Sequence, residues 1–285
     1  WFKNNYTQCR INFVKPNIIA VINQKGGVGK TTTVINLAAS LSILGLNNLV
    51  IDLDPQGNAT TGLGKSNNDD EKNIYNLLIK KINLIDGLQK TEINNLDIFG
   101  SNVNLSGLEV ETANDENRAF ILKEIFKNNE DILKGYDNIF IDCPPSLSLL
   151  TIMALVSAKE ILVPLQTEFF ALEGITQLVK TIERIKVNLN PSLSVRGILL
   201  TMFDKRNKLS TQVDKEARNY FKEKVYQSVI PRNVRLSEAP SHGQPCVTYD
   251  KTCSGSKAYF KLAEEFKTQN NNIGSAAWAQ KKIKV

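Results

Sequence analysis

Short runs of branched apolar residues alternate along this chain with longer stretches of helical spacing. Ile18-Ile19-Ala20-Val21-Ile22 follows Pro16 and leads into a glycine-rich turn. A helical run from Thr32 to Leu44 then stops at Gly45, and a second apolar run, Leu49 to Leu53, ends in Asp52-Leu53-Asp54-Pro55. Strands that are apolar on both faces belong in parallel sheets covered by helices on each side. The unit recurs. Ile139-Phe140-Ile141 ends at Asp142-Cys143-Pro144-Pro145, Ile161-Leu162-Val163 ends at Pro164, Val195 to Met202 contains Ile198-Leu199-Leu200, and Val225 to Ile230 ends at Pro231. Helices are predicted between these runs over about 115–128, 148–158, 171–188 and 210–223, with a last helix over about 256–268 packing back on the sheet. Such alternation predicts an α/β fold: a single doubly wound, mostly parallel sheet flanked by helices, with right-handed crossovers.

Residues 65–112 are less regular and rich in asparagine. They predict short helices and one strand near Leu96–Phe99 on a side face of the same domain. The expected division is an N-terminal extension over 1–15, one α/β domain over 16–268 and a flexible C-terminal tail over 269–285.

Composition narrows the classes. With 42% hydrophobic and 22% charged residues, the 285-residue chain has the makeup of a globular protein. No apolar stretch approaches the roughly 18 residues that would span a bilayer. The formal charge of +6 fits a polyanionic partner as readily as a merely basic surface. Cys9, Cys143, Cys246 and Cys253 are scattered, with no C-x-x-C spacing. That argues against a zinc site, an iron–sulfur cluster or a disulfide framework, and suits a reducing cytoplasm. The single histidine, His242, reads as a loop residue with no triad or metal cluster around it.

The chemistry concentrates in residues 24–32, Gln-Lys-Gly-Gly-Val-Gly-Lys-Thr-Thr, which follow a strand and open a helix. That context identifies a P-loop, and with it the P-loop NTPase class. Gly26, Gly27 and Gly29 let the backbone turn tightly so that N–H groups of Lys25 to Thr32, Val28 included, converge on phosphate oxygens at a helix N-terminus. Lys30 supplies a mobile cation for the β- and γ-phosphates, and Thr31 a hydroxyl for Mg²⁺. ATP and Mg²⁺ are the ligands expected. Asp54 follows Lys30 by 24 residues at the end of a strand. Ligands of parallel α/β sheets bind at the carboxyl ends of the strands, so Asp54 should face the γ-phosphate, either orienting the attacking water or contacting Mg²⁺. Asp52 reads as an inner structural partner. Asp142, ending an apolar strand, has the Walker B arrangement of a carboxylate held near Mg²⁺; the bland alternative is a helix cap.

Gln24 stands where the general P-loop pattern has its first glycine, and Lys25 adds a second cation. This form resembles the deviant Walker A motif of the ParA/MinD ATPase superfamily. Asp54-Pro55-Gln56-Gly57-Asn58-Ala59, Asp142-Cys143-Pro144-Pro145-Ser146, Phe170-Ala171-Leu172-Glu173-Gly174 and the run from Ile230 to Gly243 extend the likeness to ParA/Soj-type chromosome-partition ATPases over roughly residues 17–268. The resemblance implies a sandwich homodimer with ATP, in which Lys25 reaches the partner's nucleotide and joins Lys30 and Asp54 as a catalytic group, Asp54 positioning the water. It further implies non-specific DNA binding on the nucleoid, a ParB-like protein that stimulates slow hydrolysis, and a cytoplasmic location. By the same resemblance Arg206 and Arg235 are the DNA candidates, with Lys205, Lys208 and Arg232 as helpers. Pro231 and Asn233 follow a strand end and are candidates for the adenine pocket. The alternative is a MinD-like ATPase positioning the division site on a membrane. It calls for a C-terminal amphipathic helix, and residues 275–285 carry little apolar area for one, so no stable membrane association is expected.

Overall fold

The structure, a computed structural model, describes residues 15–169 and 171–272, with the side chains of Leu172 and Asn270 to Asn272 left undescribed. The expectations for the extension before Lys15 and for residues 273–285 lie outside that range. Seven strands form one sheet: β1 (Asn17–Val21), β2 (Asn48–Asp52), β3 (Gln89–Lys90), β4 (Leu96–Phe99), β5 (Asn138–Asp142), β6 (Glu160–Gln166) and β7 (Ser194–Thr201). Their order is β3-β4-β2-β5-β1-β6-β7, parallel throughout except for the short edge strand β3. The helices are α1 (Lys30–Ile43), α2 (Asn58–Gly62), α3 (Ile74–Leu78), α4 (Leu84–Gly87), α5 (Leu108–Glu111), α6 (Ile121–Asn128), α7 (Glu130–Leu133), α8 (Leu149–Ser157), α9 (Ala171–Asn188), α10 (Lys208–Phe221), α11 (Val234–Glu238), α12 (Cys246–Tyr249) and α13 (Ser254–Asn272).

The two-sided strands explain the two cores. Ile19 and Val21 of β1, Val50 of β2 and Phe140 of β5 face α1, α12 and α13, where Leu37, Leu41, Val247, Leu262 and Phe266 cover them. Their neighbours Ala20, Leu49, Ile51, Ile139 and Ile141 point to the other face, under α3, α6, α8 and α9, with Leu77, Leu122, Met153 and Leu178. Helix α1 is buried from Thr33 to Ser42 because α13 lies over it, and the Thr33 and Tyr259 hydroxyls meet across that contact at 3.2 Å.

Three details differ from the sequence expectation. Strand β6 does not stop at Pro164 but runs to Gln166. Proline lacks an N–H and is tolerated where no ladder bond is needed. Pro164 O accepts from the Asn23 side chain, so its nitrogen faces the β1 side as well, where the β1 ladder has already ended at Leu162. Second, Val225 to Ile230 is not a strand. Tyr226 N–H donates to Ile198 O and Ile230 N–H to Leu200 O, so four residues of this segment span two of β7 and the ladder cannot propagate. Third, the last helix continues past 268 to Asn272.

At the amino ends of the strands a buried ion pair ties β6 to β7. Arg196 donates to Glu160 (2.5 Å), to Phe266 O (2.8 Å) and to the Tyr226 hydroxyl (3.2 Å), with its guanidinium on the Phe266 ring. Asn17, opening β1, donates to the same Glu160 carboxylate.

Candidate nucleotide site

The carboxyl ends of β1, β2 and β5, three adjacent strands, carry the candidate residues. Between β1 and α1 the chain turns through Gly27 (φ 74°) and Gly29 (φ 88°), left-handed conformations that branched residues adopt only with strain. Gly29 is the N-cap of α1 and has no side chain to cap it. The free amides of the first turn therefore face out of the helix start, as an anion-binding terminus requires. Two contacts hold the loop: Thr201, ending β7, donates its hydroxyl to Val28 O (2.8 Å), and Asn23 accepts from Lys25 N–H while donating to Pro164 O.

Lys30 is 7% exposed, and its ammonium donates to Lys25 O at 3.3 Å. Burial lowers its affinity for a proton, against the pull of Asp142, Cys143 and Asp54. Thr31 donates its hydroxyl to Asp142 Oδ2 at 2.7 Å, so the helix start and the end of β5 meet directly. Thr32 lies in the same turn and accepts from Asn36 through its carbonyl.

The carboxylates behave differently from one another. Asp52 is fully buried and accepts from the Thr60 N–H and hydroxyl and from the Asp54 N–H, which organises the turn after β2. Its inner, structural role is as the sequence suggests, and burial pushes its carboxyl up to about 6. Asp54, 7% exposed, has Oδ1 held by Gln56 N–H at 3.0 Å. Asp142 has no exposure, and its Oδ1 is buried with no hydrogen-bond partner among the described residues. Burial and then the neighbouring Asp52 push the Asp142 carboxyl well above the usual carboxylate range. An unpartnered buried carboxylate oxygen beside a threonine hydroxyl suits a hard divalent cation such as Mg²⁺, which keeps several waters and takes few protein ligands. The N-cap alternative for Asp142 does not hold, because α8 begins only after Ser148.

Lys25 lies on the exposed rim of the loop and pairs with Glu168, just beyond β6. Neither Glu168, Asn23 nor Thr201 stands out in the sequence; each is found only by asking which polar residue follows each parallel strand. Pro231 and Asn233 lie beside β7 through the Phe203–Pro231 bridge and the Arg232 N–H bond to Phe203 O. Asn233 caps α11 and donates to the Ser254 hydroxyl (2.8 Å). Arg206 and Arg235 are exposed. Arg206 is bound by Asp204 through two contacts at 3.0 and 2.9 Å, and Arg235 by Glu238 (2.7 Å) and Asp250 (3.6 Å). The cysteines are not all scattered in space, since Cys246 and Cys253 approach to 3.4 Å.

A parallel sheet with a glycine loop, a buried lysine and a Walker B aspartate at its carboxyl ends defines a P-loop nucleoside-triphosphatase. Comparison with known proteins refines this. A family model described as an AAA domain matches residues 16–195. The chain is 49% identical over 250 residues to the chromosome partitioning protein ParA of Caulobacter vibrioides, covering 87% of this chain and 92% of that one. It is 47% identical over 248 residues to the sporulation initiation inhibitor protein Soj of Bacillus subtilis, covering 87% and 97%. Among solved structures, cobyrinic acid a,c-diamide synthase of Mycobacterium smegmatis with ADP and magnesium superposes with a TM-score of 0.77 at 30% identity, over 90% of this chain and 96% of that one. The chain belongs to the ParA/Soj family of chromosome-partitioning ATPases. No described helix is long and apolar enough to cross a membrane.

Proposed function

We propose that this protein is an ATP-driven DNA-partitioning switch, closing into a homodimer on ATP, binding DNA without sequence preference in that state, and leaving it on hydrolysis. One observation carries the reading: Lys30, the Thr31–Asp142 pair and Asp54 converge at adjacent strand ends while Lys25 stays outside on the rim. A P-loop that served its own nucleotide alone has no need of a second, outward cation.

Lys25 to Thr32 bind the triphosphate through backbone N–H groups, and Lys30 draws charge from its terminal phosphates. Thr31, Asp142 and Asp54 are the residues that would hold Mg²⁺, which when bound offsets the negative charge of the phosphate oxygens. Asp54 orients the water that attacks the γ-phosphorus, giving ADP and phosphate. Its Oδ1 is fixed by Gln56, so the carboxylate is aimed before substrate arrives. Lys25 leaves Glu168 for the nucleotide of a partner subunit, which makes the dimer conditional on ATP. Pro231 and Asn233 line the base. Arg206 and Arg235 contact DNA phosphates, each exchanging a half-buried carboxylate for a phosphate while its own guanidinium stays exposed, a change of small net cost because ion pairs at the surface are weak. Hydrolysis is slow until a ParB-like protein stimulates it, and the protein cycles on the cytoplasmic nucleoid.

The test is DNA co-sedimentation with ATP, ADP or no nucleotide over a salt series. Binding in ATP alone, falling steeply with salt, is expected. Equal binding in all three states would refute the switch.

A further inference from the structure

Cys246 opens α12 and Cys253 immediately precedes α13, and their sulfurs lie 3.4 Å apart. The loop between them is closed on itself: Asp250 Oδ1 accepts from the Thr252 hydroxyl and N–H and from Cys253 N–H, and Ser256 donates its hydroxyl to Cys246 O (2.9 Å) and Asp250 O (2.6 Å). The same Ser256 hydroxyl is 3.4 Å from each sulfur, and Ser256 N–H donates to Cys253 Sγ. The two thiols differ in access: Cys246 is fully buried, whereas Cys253 is half-buried and open to a small reagent. Both thiols are free. A disulfide needs the sulfurs only roughly 1.4 Å closer, a shift that draws Cys253 and the first turn of α13 toward Cys246.

We propose that Cys246 and Cys253 form a dithiol site that a small-molecule disulfide oxidises reversibly to an intramolecular disulfide, and that its state sets how α11 is seated. Cys253, as its thiolate, attacks one sulfur of glutathione disulfide, forms a mixed disulfide and expels one glutathione thiolate. Cys246 then gives its proton to solvent, attacks the Cys253 sulfur and expels the second glutathione thiolate. The two electrons lost by the cysteines reduce one glutathione disulfide to two thiols, so the exchange balances.

The link to α11 is built into the first turn of α13. Ser254, next to Cys253, holds Asn233, the N-cap of α11. Gly255 packs so closely on Leu236 that an added Cβ would lie 2.7 Å from its Cγ. Asp250, which binds Cys253 N–H, also faces Arg235. Drawing Cys253 toward Cys246 therefore moves the floor on which α11 rests.

The experiment titrates the full chain with glutathione disulfide, alkylates the remaining thiols and maps peptides by mass spectrometry. Hydrogen exchange is then measured on the oxidised and reduced chain. The expected product is a Cys246–Cys253 cross-link, removed by dithiothreitol. In Cys246→Ser a glutathione adduct remains on Cys253 and no cross-link forms, while in Cys253→Ser the buried Cys246 does not react. Amides of residues 233–238 should change exchange rate at least about fivefold on oxidation of the unaltered chain and not in either variant. A persistent adduct on Cys253 of the unaltered chain, a cross-link only between two chains, or no reaction at Cys253 would overturn the site. A cross-link that leaves exchange across 233–238 unchanged would overturn the coupling to α11.

Discussion

Two clusters of buried charge lie at opposite edges of the same sheet, one at the amino ends of β6 and β7 and one at the carboxyl ends of β2 and β5, and they are built on opposite plans. At the amino ends, Arg196 is matched by Glu160, Phe266 O, Tyr226 and an aromatic face, with Asn17 completing the carboxylate. At the carboxyl ends, Lys30 faces Asp142 and Asp54, and Asp52 lies behind Asp142, so carboxylates outnumber the cation. Asp142 keeps an oxygen with no partner among the described residues, and its carboxyl is pushed up by burial. Burying a charge is costly unless it is paired and hydrogen-bonded. The first cluster meets that condition within the chain and reads as architecture. The second is left for something from outside to complete, as a site whose ligands bring phosphate and a metal ion should be.

The contrast can be broken at either end. Arg196→Ala strands Glu160 in the interior and should destabilise the fold by about 3–5 kcal/mol; a denaturant midpoint shifted by less than a third of that would show the pair to be dispensable. Asp54→Ala should slow ATP hydrolysis by about 10²–10³-fold while nucleotide binding persists; in a phosphate-release assay, turnover near that of the unaltered chain removes Asp54 from its role. Lys30→Ala should weaken binding of a fluorescent ATP analogue by about a hundredfold, with a much smaller loss of thermal stability than Arg196→Ala. Asp142→Asn sharpens the comparison most directly. Removing an excess buried charge should stabilise the ligand-free chain by about 1 kcal/mol while abolishing magnesium-dependent turnover, and a destabilised ligand-free variant would mean that the carboxylate is structural after all. The smallest effect is outside both clusters: Arg235→Glu should lower the slope of log DNA affinity against log salt by about two, one for each subunit of the dimer, with dimerisation unchanged by sedimentation.

Much of the site was legible because its pieces are consecutive. Gly26 to Thr32 sit in one loop, and Asp54 and Asp142 each end an apolar run, so strand, turn and helix signals place them without any tertiary contact. Glu168 and Thr201 were not legible, since each acts on the loop from more than 140 residues away and lies at the end of a strand that carries no motif. The Val225–Ile230 segment misled for a related reason. Its apolar run is real, and it does lie along β7, but whether a run becomes a ladder depends on the spacing of the partner strand's carbonyls. Cysteine spacing was silent on the approach of Cys246 to Cys253, because C-x-x-C is a rule about neighbours in sequence, whereas these two are joined by a turn that Asp250 and Ser256 close.

By itself the sequence determined what depends on local order: two-sided strands, a parallel sheet wound on both faces, and a phosphate loop at the start of α1. Only the tertiary structure decided which polar groups end up satisfied. The same residue type, an aspartate at a strand end, is closed by the turn that folds back on it at Asp52, through Thr60 and Asp54, and at Asp142 keeps one oxygen without a partner among the described residues.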